Sequence, residues 1–432
     1  MSKTELLAPA GNLNNLRYAI AYGADAVYAG MPRYSLRVRN NDFHRLDNLA
    51  TGIATAHAAG KHFYLASNAL PHNAKIKTFI QDMEPIMELG PDALIMADPG
   101  LILMVRERWP DAAIHLSVQA NTMNYASVRF WQQQGIRRII LSRELSLDQI
   151  EEIRQECPEM ELEVFVHGAL CIAYSGRCLL SGYFNHRDAN QGTCTNSCRW
   201  DYKLKAASLD DSGDIQAAAT AAPDPAQQVY LLEESSRPGT RMPIEEDEHG
   251  TYIMNSRDLR ALEHVERLIR IGVKSLKIEG RTKSHYYVAR TTQVYRQAID
   301  DAEAGQPFDA RLLGSLENLS NRGYTDGFLQ RHPDQDYQNY LQSHSNSVKQ
   351  RFVGGLVGYD AASGMASIDV KNKFAVGDEL ELILPGGNRT FRLECMLDMD
   401  GSPMAEAPGG GYRVQIPLDA HNYDMGLLAR NL

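Results

Sequence analysis

Cysteine is scarce in this chain, with six in 432 residues, at positions 157, 171, 178, 194, 198 and 395. So low a count excludes a disulfide-built scaffold, whose small core depends on dense cross-linking. Positive charge is in deficit too: 44 Lys and Arg face 54 Asp and Glu, a formal net charge of -10. Wholesale coating of nucleic acid is thereby excluded, because such binding rests on cations meeting phosphates, and any RNA contact requires a local basic patch. No uninterrupted apolar run approaches the ~20 residues that span a bilayer. The opening Met1-Ser2-Lys3-Thr4-Glu5-Leu6-Leu7 has no apolar core followed by a small-residue cleavage site. The expectation is a cytoplasmic protein that does not contact a membrane. Also missing are His-Glu-x-x-His, Gly-x-Ser-x-Gly, a phosphate loop ending Gly-Lys-Ser/Thr, and the glycine spacing of a dinucleotide fold, since the first strand-to-helix turn reads Ala8-Pro9-Ala10-Gly11-Asn12.

What is present is a repeated phrase, in which a helix-like segment and a glycine or proline stop precede a short apolar run with a polar end. Glu5 to Ala8 opens the series. Gly23 to Gly30, Gly60 to Asn68, Gly90 to Asp98, Ala113 to Gln119, Arg138 to Glu144, Leu162 to His167 and Val273 to Glu279 continue it. Eight strands alternating with helices predict a parallel (β/α)8 barrel of the TIM type, with a doubly wound open sheet as the alternative. In such a barrel the chemistry sits where strands end. Asn68, Asp98, Ser117, Gln119, Arg143, Glu144, His167, Lys277, Glu279 and Arg281 fall at those ends, and Arg33, Arg37 and Arg39 follow the second strand. Singly each reads as a solvated loop residue or strand-end hydrogen bond; together they predict a polar mouth.

Composition then divides the chain. Residues 1–205 read as the first part of the barrel, with most of the cysteines, and 206–250 as a flexible alanine-rich and acidic insertion ending in Glu245-Glu246-Asp247-Glu248. The barrel is expected to resume at Thr251 to Asn255 and run to about 335. Alternating runs such as Glu379 to Leu384, closed by Pro385-Gly386-Gly387, predict a small antiparallel β domain over 351–432.

The most specific feature is the group Cys171, Cys178, Cys194 and Cys198, with six, fifteen and three residues between successive members. Four thiolates suit tetrahedral zinc or an iron-sulfur cubane equally. The six-residue gap fits a tight zinc knuckle poorly, and Cys171 lies just past a barrel strand on the catalytic side, which favours an iron-sulfur cluster, with 4Fe-4S as the expected type and its nuclearity left open by the spacing, as cofactor and metal centre. Zinc and unligated thiols stay open. Cys157 and Cys395 lie apart and read as ordinary thiols.

The residues around the first two of these cysteines resemble the collagenase-like peptidase family of unassigned catalytic type. Glu163-x-Phe165, Gly168-Ala169-Leu170-Cys171, Gly176-x-Cys178 and Leu180-Ser181 carry the likeness. Leu7 to Gly11, Tyr34 to Arg37, His115 to Asn121 and Lys277 to Arg281 extend it along nearly the whole chain. Asp188 to Asn196 and Asp369 to Phe374 are most similar to a bacterial branch of that family that hydroxylates tRNA. The resemblance implies formation of 5-hydroxyuridine at the wobble position, prephenate as co-substrate, a required iron-sulfur cluster, and tRNA and the iron-sulfur assembly machinery as partners. A sister activity, hydroxylation of cytidine in ribosomal RNA, and proteolysis are the alternatives. Prephenate is a dianion, so paired cations are expected to hold it: Arg143 and Arg281, then Arg37. His167 is the candidate for proton transfer, or else a brace for its strand end. Arg33, Arg39 and Lys75 are candidates for RNA phosphate contacts.

Overall fold

The computed structural model describes residues 3–31, 33–36, 41–171, 173–178, 195, 257–321, 323–330, 350–419 and 422–432, with the backbone of five short strands between 207 and 252. Seven parallel strands run in order: β1 (Glu5–Pro9), β2 (Ala26–Gly30), β3 (His62–Ser67), β4 (Ala93–Met96), β5 (Ile114–Leu116), β6 (Arg138–Ile140) and β7 (Glu161–Ala169). An eighth, Ser275–Ile278, pairs in parallel with β1 on one side and β7 on the other and closes the barrel. The expected barrel is therefore the fold. Alternation within each strand explains its two-sided burial: Leu6 and Ala8 pack outward against the helices, while Leu7 joins Tyr28, Tyr64, Ile95, Ile140 and Phe165 in a separate interior cluster.

Polar residues just past the strands start the next helices. Asn12, Asp98, Asn124, Ser146 and Ser284 each accept a hydrogen bond from a backbone N–H in the first turn of their helix. Asp98, expected at the polar mouth, is committed in this way, its Oδ1 accepting from the Leu101 N–H at 2.9 Å.

Between β7 and the closing strand the chain forms a hairpin of β8 (Ala207–Leu209) and β9 (Ile215–Ala217) and an antiparallel trio, β10 (Tyr230–Glu233), β11 (Arg241–Asp247) and β12 (Gly250–Tyr252). The segment expected to resume the barrel at Thr251 thus pairs with β11. The chain rejoins the wall at β13 (Asp258–Arg260), antiparallel to the end of β7, and supplies the eighth barrel strand only at β14 (Ser275–Ile278). Strand β15 (Tyr324–Thr325) then pairs with β13.

Residues 350–432 form the expected antiparallel domain, a six-stranded sheet in the order β20 (Arg389–Arg392), β19 (Glu379–Ile383), β23 (Leu427–Asn431), β16 (Gln350–Asp360), β17 (Met365–Val370) and β22 (Arg413–Pro417). A second pairing joins β18 (Phe374–Ala375) to β21 (Glu406–Ala407). This domain has its own core, including Val353, Ile368, Phe374, Leu380 and Val414. It docks on the helix His285–Glu303 through the buried Arg290, which donates to both oxygens of Glu381 at 2.9 and 3.1 Å. Tyr22 Oη adds bonds to the Ile383 and Met425 carbonyls.

Candidate active site at the barrel mouth

The barrel floor is ionic. Arg138 Nη1 lies 2.5 Å from Glu5 Oε1 and 3.5 Å from Glu163 Oε2, and Lys277 Nζ donates to Glu163 Oε1 at 2.8 Å. Tyr64 Oη and Ser275 Oγ donate to Glu5 at 2.6 and 2.8 Å. Burial by itself would lower the pKa of Arg138, but Glu5 and Glu163 outweigh it and hold the guanidinium protonated. For Lys277 burial wins over the pull of Glu163, and its pKa is lowered. Glu163 is fully buried and Lys277 3% exposed, so each needs the other.

Above the floor, cations and rings alternate. Lys277 Nζ lies 4.4 Å from the centre of the Tyr28 ring and 5.4 Å from that of Phe165. The Arg143 guanidinium stacks 3.8 Å from the Phe165 centre, and that of Arg281 lies 5.8 Å from Tyr28. The structure therefore brings together Arg143, Lys277 and Arg281, three cations on two aromatic rings with Glu163 and Glu279 as the nearby carboxylates. Arg143 Nη2 is 3.6 Å from Glu279, and Arg281 donates to the Leu36 carbonyl at 2.6 Å. Close backbone approach makes this possible: a Cβ on Gly30 would fall 2.3 Å from the Arg281 guanidinium, and one on Gly168, whose φ is +110°, would fall 2.6 Å from the Glu279 carbonyl oxygen.

The rest of the rim is polar, as expected. Asn68 links Ser117 Oγ to the Leu36 N–H, and Ser142 Oγ donates to Glu144. Ser67 Oγ, Gln119 Oε1, Asn121 Oδ1 and Thr122 Oγ1 are buried with no hydrogen-bond partner among the described residues.

Cys171 and Cys178 lie on the segment that leaves β7 at this mouth. Cys171 is exposed and Cys178 half-buried, and Arg143 Nη1 reaches Ser175 Oγ between them at 3.4 Å. Accessible thiols beside a cationic, ring-lined mouth are a donor set that fits a thiolate-held metal group. Cys194 and Cys198 lie outside the described residues. Cys157 is buried, with Sγ 3.6 Å from the Tyr125 carbonyl, and Cys395 is exposed on the C-terminal domain.

Other candidates stand elsewhere. His167 is 1% exposed and packed among the rings of Tyr287, Tyr295 and Tyr324. Tyr295 Oη gives its proton to the Val166 carbonyl at 2.7 Å, so it can only accept from His167 Nδ1, 3.4 Å away. Burial, with Arg260 and Lys283 adding to it, lowers the His167 pKa to about 3 and keeps the ring neutral. That is the setting of a brace. Arg33 pairs with Asp82 at 2.8 Å, and Lys75 Nζ donates to the Arg33 backbone carbonyl at 3.2 Å. Arg37 and Arg39 fall outside the described residues. Sequence reasoning passed over Glu5, Arg138, Glu163, Tyr28, Phe165 and Asn121. The charged ones had a signal: an ionisable residue inside a short apolar run points inward or outward by parity, and these point into the barrel.

The model of peptidase family U32 matches residues 11–339, and that of the peptidase family U32 C-terminal domain matches 348–430. The chain is 59% identical to the tRNA hydroxylation protein P of Escherichia coli (strain K12), covering 100% of this chain and 97% of that protein. It is 56% identical to the protein of the same name from Haemophilus influenzae, over 100% and 96% of the two chains. It is also 31% identical to the 23S rRNA 5-hydroxycytidine C2501 synthase of E. coli, over 76% of this chain and 45% of that one.

Proposed function

The chain belongs to peptidase family U32, and from that premise we propose that it is a tRNA-modifying enzyme, a hydroxylase that forms 5-hydroxyuridine at the wobble position with prephenate as co-substrate and an iron-sulfur cluster as cofactor. The observation that carries the reading is its 59% identity, along its full length, to a tRNA hydroxylation protein. The mouth has matching chemistry. Prephenate carries two carboxylates, and Arg143 and Arg281 are the cations that would bind them, with Arg37 in support. Lys277 below adds positive field without leaving Glu163. Phe165 and Tyr28 offer ring faces that favour the nearby guanidinium charges, Arg143 most closely. Glu279 orients Arg143.

Cys171, Cys178, Cys194 and Cys198 would hold the cluster, which when bound supplies Lewis-acid or one-electron chemistry at the mouth. His167, neutral and enclosed, holds the end of β7. Arg33 and Lys75 are cations suited to RNA phosphate, as is Arg39. The machinery that builds iron-sulfur clusters is an implied partner. No helix among the described residues is long and apolar enough to cross a membrane.

Deleting the gene and measuring the nucleosides of total tRNA and ribosomal RNA tests the reading. Loss of 5-hydroxyuridine and its derivatives from tRNA, restored by the gene, is expected. Unchanged tRNA removes the proposal, and loss of hydroxycytidine from ribosomal RNA would favour the sister activity instead. Proteolysis, which the family name suggests, needs an activated nucleophile. The described histidines with a side-chain hydrogen bond or ion pair to another side chain make it with Asp92, Asp326 or Tyr295, none of them a Ser, Thr or Cys nucleophile.

A further inference from the structure

Beyond the cysteines themselves, the loop that carries two of them is held in place by a residue to which no role has so far been given. We propose that Asn121 is a positioning residue that pins the segment between Cys171 and Cys178 to the barrel mouth. Asn121 ends the 3-10 turn Val118–Ala120 that follows β5, with a left-handed backbone at φ 50° and ψ 53°. Asparagine tolerates that region better than most residues. Its Nδ2 donates to the Ser175 carbonyl at 2.7 Å and to the Gln119 carbonyl at 3.1 Å. Both acceptors are carbonyls, so the amide has one orientation only, and a carboxylate in its place would face two oxygens.

Two further contacts converge on the same stretch. Arg143 Nη1 reaches Ser175 Oγ at 3.4 Å. Gly176, at φ +73°, lies so close to the β5 loop that a Cβ there would be 3.2 Å from the Gln119 carbonyl oxygen. Ser175 and Gly176 are thus touched by the ends of two different barrel strands, midway between Cys171 and Cys178. A loop held there presents its sulfurs without first having to be ordered, which is how outer residues raise the affinity of a metal site. The consequence for the metal rests on the cluster reading above; the tie itself does not.

The test uses the full chain as parent, Asn121→Gly and Asn121→Asp, reconstituted anaerobically with iron and sulfide, and also iron-free. Glycine relieves the left-handed backbone while removing the tie; aspartate turns it into a repulsion. Amide hydrogen exchange at residues 173–178 is expected to speed up about tenfold in Asn121→Gly and more in Asn121→Asp, with the thermal midpoint unmoved. Iron release to a ferrous chelator should rise roughly tenfold to a hundredfold, with altered visible absorption of the loaded protein. Unchanged exchange at 173–178 in both variants would overturn the proposal. A parent that takes up no iron defeats the cluster reading, while the exchange comparison still decides whether Asn121 holds the loop.

Discussion

Glu163→Gln should destabilise the barrel severely, and the structure says by how much and why. The carboxylate is fully buried and shared between Lys277 at 2.8 Å and Arg138 at 3.5 Å. Neutralising it leaves Lys277, 3% exposed, without the carboxylate to which its Nζ donates. Removing one partner of a buried pair costs about 3–5 kcal/mol, whereas replacing both by apolar groups is often neutral. Glu163→Gln with Lys277→Met should therefore recover about 2 kcal/mol or more of the loss. The sign of the pH dependence follows from Lys277. Burial holds its folded pKa below the ordinary value of 10.5. The unfolded chain then binds the extra proton, and stability rises with pH between the two values by about 1.4 kcal/mol per unit. Without Glu163 the folded value drops further, so the single variant should gain more between pH 7 and pH 9 than the parent does. Urea denaturation followed by circular dichroism at both pH values measures all of this. A single variant within about 1 kcal/mol of the parent, or a double variant no better than the single, would refute the claim that this carboxylate neutralises the floor.

The same titration logic applies to His167, whose folded pKa of about 3 lies below the ordinary 6.5. The stability it contributes is complete above pH 6.5 and is lost as pH falls toward 3, about 2 kcal/mol of it by pH 5. His167→Phe should flatten the slope of urea midpoint against pH by that share, and a slope equal to the parent's would show that the ring is not held neutral. At the mouth, Arg143→Gln and Arg281→Gln should each raise the prephenate KM roughly tenfold to a hundredfold, the loss of a charged hydrogen bond, as steady-state kinetics would show. Anaerobically purified protein should contain iron and absorb in the visible. Serine at Cys171, Cys178, Cys194 or Cys198 should abolish both, serine at Cys157 or Cys395 neither, and zinc in place of iron would overturn the cofactor assignment.

The fold was legible because its signals are local. Runs such as Ala26–Gly30 and His62–Ser67 are short, apolar and punctuated by glycine, and helix caps such as Asn12 and Ser146 follow directly in sequence. The return of the chain to the barrel was misplaced because Gly250–Tyr252 is an adequate strand by composition. Only pairing decides that it joins β11 rather than the wall. Asp98 was legible as a polar strand end but not as a helix cap, since the two look alike until the next turn is built.

By itself the sequence determined the alternation of strand and helix, the separate antiparallel domain, and the clustering of four thiols within one stretch of chain, because periodicity, composition and spacing all act between near neighbours. Only the tertiary structure decided that Glu5, Arg138, Glu163 and Lys277 meet as one ionic floor and that Arg143, Phe165, Lys277, Tyr28 and Arg281 stack above it. It alone set Asn121 against Ser175. Those partners lie tens to hundreds of residues apart, and barrel closure between β14 and its neighbours β1 and β7 is what brings them within bonding distance.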